Sequence, residues 1–196
     1  MAIIPKIYQL KITLKYSSPP IWRRIQVPGN LDIIDLHDII QVFMGWDNDH
    51  LFSFLVGGVR YEDSEEISGP NIKDVSKTSI STAFTRKGAK GIYTYDFGDT
   101  WEHEVLVEGI IDPEPGIKYP ICLEGKCSCP PEDCGGVGGY YQLLDILKDH
   151  THEAYNEMVE WIGDDIDPDK FDCEEVNKRM PSRRVLVKIG NGNANP

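Results

Sequence analysis

No stretch of the 196-residue chain approaches the run of about 20 apolar residues that a membrane helix needs, which excludes a helical membrane anchor. The opening MAIIPKIYQL reads as the approach to a strand rather than as a basic, apolar, small-residue leader, so a cytoplasmic location is expected. Catalytic signatures are also missing: there is no glycine-rich phosphate loop, no nucleophile elbow and no HExxH. Five cysteines are too few and odd in number for a disulfide scaffold, and a chain of this length can bury a core without one. Basic charge is short in the second half, where residues 96–180 carry 6 basic and 22 acidic side chains against 11 and 10 in residues 1–95. A surface of that sign repels phosphate backbones, which disfavours nonspecific nucleic-acid binding. The acids read first as a solvated helical surface that aids solubility, ahead of an acid-lined functional groove. No internal repeat is present, and one domain over residues 1–182 with a tail at 183–196 is expected.

What is present is a strong strand signal early and helix signals late. Tyr8, Leu10, Ile12, Leu14 and Tyr16 share one parity, with Gln9, Lys11, Thr13 and Lys15 on the other. After Pro19 and Pro20 the alternation resumes, and Arg23 falls on the parity of Ile21, Ile25 and Val27. An inward guanidinium cannot shed its charge and needs a carboxylate or carbonyl partner, for which Asp96, Asp99 and Glu102 are the natural sources. Residues 32–44 predict a helix, capped by Asp32 with Asp35, stapled by Leu31 and Leu36, striped by Leu36, Ile39, Ile40 and Phe43, and stopped at Gly45. Residues 50–56 and 59–61 predict a hairpin about Gly57 and Gly58, and Ile92–Phe97 with Trp101–Val107 a second about Gly98 and Asp99. Residues 62–91 read as an irregular excursion with one apolar piece near Ile80 and Phe84, and residues 113–139 as loop. Two helices follow, with stripes Tyr140, Leu143, Leu144, Leu147 and Tyr155, Met158, Val159, Ile162; Asp172 and Glu175 cap a third, and Val185–Ile189 could form a last strand. The order predicts an α+β fold: a largely antiparallel sheet built from hairpins, one helix after the first hairpin, and a helical C-terminal part.

Cys122, Cys127, Cys129 and Cys134 fall within 13 residues, while Cys173 stands apart. A Gly- and Pro-rich loop can wrap such thiolates around zinc, but only Ser128 separates the middle pair, so a structural metal, incidental thiols and disulfides all remain open. His103 shares the inward parity of Trp101 and Val105, where a hydrogen-bonded core role competes with ligation or catalysis; His50 shares the parity of Phe52 and Phe54. His37, His150 and His152 are expected on the surface. Asp96 and Asp99 flank a turn ahead of His103, and Glu132 and Asp133 sit in the cysteine loop. Carboxylates and a histidine suit a hard metal or acid-base work, although turns also require Asp.

The segments PPIWRRIQVP (19–28), GWDNDHLFSF within 36–54, YDFGDTWEHEV (95–105), CPPEDCGGVGGY (129–140) and the run from Trp161 through DPDKFD to Val176-Asn177 together resemble the plasmid pRiA4b ORF-3-like family, over about residues 6–180. The resemblance implies an α+β domain found in plasmids and in bacterial and archaeal genomes, loosely linked to mobile elements. It favours Cys122, Cys129 and Cys134 over Cys127 as shared positions. Where relatives commonly show His-Leu-His, this chain has His50-Leu51-Phe52.

Two functional classes follow. The first is a non-enzymatic interaction module that presents the acidic half and the cysteine loop, with zinc held at that loop, to a protein partner. The second is a metal-dependent hydrolase or nuclease that uses Asp96, Asp99 and His103 as catalytic residues, with His50. A serine recombinase lacks support, since the C-terminal basic pair is only Arg183-Arg184.

Overall fold

The computed structural model describes residues 4–63, 69–163 and 166–180; Arg183, Arg184, Val185–Ile189 and the tail lie outside them. Eight strands form one sheet: β1 (Ile7–Leu14), β2 (Trp22–Pro28), β3 (Phe52–Val56), β4 (Val59–Glu62), β5 (Ile72–Asp74), β6 (Lys90–Tyr95), β7 (Trp101–Ile111) and β8 (Ile121–Lys126). Their order is β5-β4-β3-β6-β7-β1-β2-β8, and every pairing is antiparallel except β4 with β5. Helix α1 (Ile33–Met44) follows the first hairpin, α2 (Ile80–Ala83) is a single turn, and α3 (Gly136–Lys148), α4 (Tyr155–Ile162) and α5 (Cys173–Arg179) close the described chain. This is the α+β architecture that the order of patterns implies.

Period-two alternation sorts the two faces of the sheet. Leu10, Ile12, Leu14, Ile25, Val27, Tyr93, Tyr95, Trp101, Val105 and Val107 are buried on one face. The other face is laced by cross-strand ion pairs, among them Lys15–Glu102 at 2.7 Å and Arg24–Glu108 at 2.7 Å. Helix α1 covers the apolar face. It starts with the expected capping box, Asp32 N–H donating to Asp35 Oδ2 at 2.8 Å, and ends at Gly45 with φ of 88°.

Several expectations change. Strand β1 ends at Leu14, and Tyr16, at φ of 65°, stands exposed rather than inward. The excursion at 62–91 contains β5 and α2, and it buries Val75, Ile80 and Phe84 completely. Strand β8 runs through the expected loop because β2 otherwise has an unpaired edge, which β8 covers. Helix α4 has no buried residue; Val159 and Trp161 stay open to solvent. His37 is buried, its ring stacked at 3.5 Å on Phe52 and its Nδ1 2.8 Å from the Tyr93 hydroxyl, so the surface position expected for it is corrected.

Candidate metal centre

Pairing of β3 with β6 brings two distant sequence blocks together. Tyr95 lies opposite Phe52, and Asp96 N–H donates to the Leu51 carbonyl at 2.9 Å, which sets Asp96 beside His50. Asp96 leaves the strand at φ of 51°, and its Oδ1 accepts from Gly98 N–H at 2.8 Å, so Oδ2 is the oxygen turned to His50. The third member comes from the cysteine loop. Asp133, at φ of 59°, places Oδ1 3.2 Å from His50 Nε2, while Asp96 Oδ2 is 3.9 Å from the same nitrogen. Among the described residues these three offer ligand atoms that all lie within 4.8 Å of one another.

The loop that carries Asp133 is held from several directions. Glu132 accepts from the Tyr95 hydroxyl at 2.5 Å and from Asp47 N–H at 2.7 Å. Trp46 Nε1 donates to the Pro130 carbonyl at 2.9 Å, and Gly135 N–H donates to Asp99 Oδ2 at 3.0 Å. Gly136, at φ of 68°, lies so close to Asp99 that a Cβ there would stand 2.4 Å from its carbonyl oxygen. Burial and the Glu132 carboxylate push the Tyr95 hydroxyl well above the usual phenol range, so it remains a donor at neutral pH. The cleft in front has a volume of about 380 Å³ and is lined by Asp47, Asp49, His50, Glu132, Asp133 and Trp161, among others. Asn48, Asp96 and Asp133 all take left-handed backbone, a conformation that these short polar side chains tolerate in turns.

The sequence candidates separate here. Asp96 joins the centre, whereas Asp99 serves as the clamp of the loop. His103 is fully buried between Trp46 and Tyr93, with Nδ1 3.1 Å from the Trp101 carbonyl oxygen and Nε2 enclosed beside the Tyr93 backbone. Desolvation lowers its pKa to about 3, which keeps the imidazole neutral and away from any substrate. Asp133 carried only a general signal as an acid in the cysteine loop. Tyr95 and Trp46 carried none beyond their aromatic character.

The cysteines are not gathered in this way. Cys122 Sγ lies 3.9 Å from Cys173 Sγ, Cys134 Sγ faces the Gly136 carbonyl at 3.8 Å, and all five thiols are free. Burial pushes Cys122, Cys129 and Cys134 up to about 12, so they hold their protons near neutrality. Among the described residues Cys122, Cys127, Cys129 and Cys134 do not bring three sulfurs within 4.8 Å of one another. The buried Arg23 cation acts on Cys122, Cys127, Cys129 and Cys173, a charge that opposes a second cation among them.

The plasmid pRiA4b ORF-3-like protein family model matches residues 6–175. The uncharacterized protein y4hQ of Sinorhizobium fredii (strain NBRC 101917 / NGR234) is 36% identical over 180 residues, which span 91% of this chain and 92% of that protein. A crystal structure of a protein of unknown function, MM3350 from Methanosarcina mazei Go1, superimposes with a TM-score of 0.79 at 40% identity and covers 88% of this chain and 98% of the other. No helix among the described residues is long and apolar enough to cross a membrane. With the family model matched over residues 6–175 and relatives similar over nearly the whole length, the chain belongs to the plasmid pRiA4b ORF-3-like family.

Proposed function

We propose that the protein is a divalent-metal-dependent hydrolase whose metal is held by His50, Asp96 and Asp133. One observation carries the reading: three side chains of metal-ligating type converge to within 4.8 Å at the edge of an acidic cleft. One nitrogen and two carboxylate donors suit zinc, manganese or ferrous iron, and three protein ligands leave a position open for water. A bound metal would neutralise the cleft and lower the pKa of that water. Asp49, whose carboxylate has no hydrogen-bond partner among the described residues, stands in the same cleft as a base. Metal titration of the intact chain with Mn²⁺ and Zn²⁺, followed by nuclease, phosphatase and esterase assays, tests the reading. Saturable binding that His50→Ala and Asp96→Asn each weaken at least about tenfold is expected. Equal binding in the wild type and the double variant would end it.

A second reading, a protein-interaction module, draws support from Leu51, Phe97, Val159 and Trp161, which are large apolar side chains left exposed. Recovery of one specific partner, lost on replacing Glu132 and Asp133, would favour it. Zinc at Cys122, Cys127, Cys129 and Cys134 belongs to this reading, and elemental analysis of the purified protein decides it. The free thiols fit a reducing compartment and hence a cytoplasmic protein.

A further inference from the structure

A second cavity, of about 330 Å³, opens between the C-terminal end of α1 and the segment that leads into α5; Gly45 lies on the wall of both cavities. At its base is Arg23, only 2% exposed. Its Nε donates to the Phe43 carbonyl at 3.1 Å, and its Nη1 to the Trp22 and Lys126 carbonyls at 2.9 and 3.0 Å. Phe171 covers one face of the guanidinium, with 3.9 Å from the guanidinium carbon to the ring centre. Nη2 has no partner among the described residues, yet it is not among the sealed-in unpaired atoms, so it opens on the cavity that Arg23 lines.

None of the carboxylates on the wall forms an ion pair with this cation. Asp172 is occupied by the amides of Glu174 and Glu175, Glu175 is paired with Arg179, and Asp167 accepts from the Asp169 amide at 3.1 Å. Lys170, exposed at the mouth, has no ion pair among the described residues. Arg23 and Lys170 thus form no ion pair among the described residues, while Asp167 and Asp172 on the same wall keep their charges; Arg23 is the one removed from water, where an opposite charge is felt most strongly. Carbonyl dipoles and the end of α1 compensate Arg23 in part but supply no anion. Phe43, Met44, Ile166 and Val176 add apolar patches to a wall that is otherwise polar.

We propose that this cavity binds a small oxyanion, a carboxylate or phosphate, which accepts from Arg23 Nη2 and faces Lys170. The size is that of a small-molecule site, and a guanidinium held by its other nitrogens is already oriented for the anion. The site shares no ligand with the metal centre, so neither proposal depends on the other.

Isothermal titration of the full chain with inorganic phosphate, citrate and sodium chloride at low ionic strength reads this directly. Saturable binding of phosphate or citrate, with no response to chloride, is expected, and whichever binds identifies the class of anion. Lys170→Glu, at an exposed side chain without partners, should leave the melting temperature unchanged and weaken the anion at least about tenfold. Lys148→Ala, which removes a surface cation on α3 paired with Asp145, should change nothing. Failure of both anions to bind, or equal affinity in wild type and Lys170→Glu, overturns the proposal.

Discussion

The guanidinium of Arg23 stacks 3.9 Å from the centre of the Phe171 ring, and this contact joins the second strand to the segment before α5. The same ring rests on Gly125, where a Cβ would stand 2.4 Å from a ring carbon, so β8 can lie under the ring only without a side chain there. The partners expected from the sequence, Asp96, Asp99 and Glu102, do not pair with Arg23; the Phe43, Trp22 and Lys126 carbonyls take their place. Those carbonyls lie at the end of α1 and on the β2–β8 ladder, closer than any turn carboxylate.

Arg23→Leu should destabilise the fold by about 2–4 kcal/mol, since three carbonyls lose a charged donor and the stacking contact disappears. Arg24→Leu, on the opposite face, loses its pairing with Glu108 and Glu124 and should cost about 1 kcal/mol or less. Urea melts of the two variants compare the faces; losses of equal size would refute the distinction.

Gly136 and Gly138 are two residues apart and should respond oppositely to alanine. At Gly136 the positive φ and the approach to Asp99 make Ala cost about 2 kcal/mol or more, and the shift carries Asp133 away, so metal affinity falls with stability. Gly138 lies inside α3 with nothing within 4 Å of its missing Cβ, and Ala should stabilise by about 0.5–1 kcal/mol. Thermal melts paired with Mn²⁺ titration separate the two outcomes.

Two buried histidines give stability a pH dependence above the carboxylate range. Burial lowers His37 to about 4 and His103 to about 3. Unfolded, each titrates near 6.5, so the unfolded chain binds more protons below that pH. Stability is full above about pH 6.5 and falls as the pH drops toward the folded-state values, by about 1.4 kcal/mol per pH unit for each histidine. Denaturation between pH 7 and pH 5 should show uptake approaching two protons on unfolding, and one fewer in a His103→Gln variant that retains the fold. A flat profile would contradict the burial of both imidazoles.

Asn177 completes the outer edge of the sheet. Its Oδ1 accepts from Cys122 N–H at 2.7 Å and its Nδ2 donates to the Cys122 carbonyl at 2.9 Å, the pair of bonds that a neighbouring strand would make. Asn177→Ala should cost about 1–2 kcal/mol and speed amide exchange at Cys122 more than at Leu10 in the sheet centre.

The sequence by itself determined the local elements. The alternation of Tyr8 to Leu14, the Asp32–Asp35 box with Gly45, the Gly57-Gly58 turn and the inward side of Arg23 and His103 all follow from periodicities of two and 3.6 and from capping chemistry, which act within a few residues. The tertiary structure decided which of these elements meet. Strand β8 and the short β5 have weak patterns of their own and exist because β2 and β4 offer edges to pair with. His37 lies off the main apolar stripe of α1, and only the arrival of Phe52 and Tyr93 from the sheet buries it. The metal centre is the sharpest case, for His50, Asp96 and Asp133 lie in three separate blocks of sequence. The register of β3 on β6 and the tethering of the cysteine loop by Glu132, Asp99 and Trp46 set them together, and such long-range pairing leaves no local period to read.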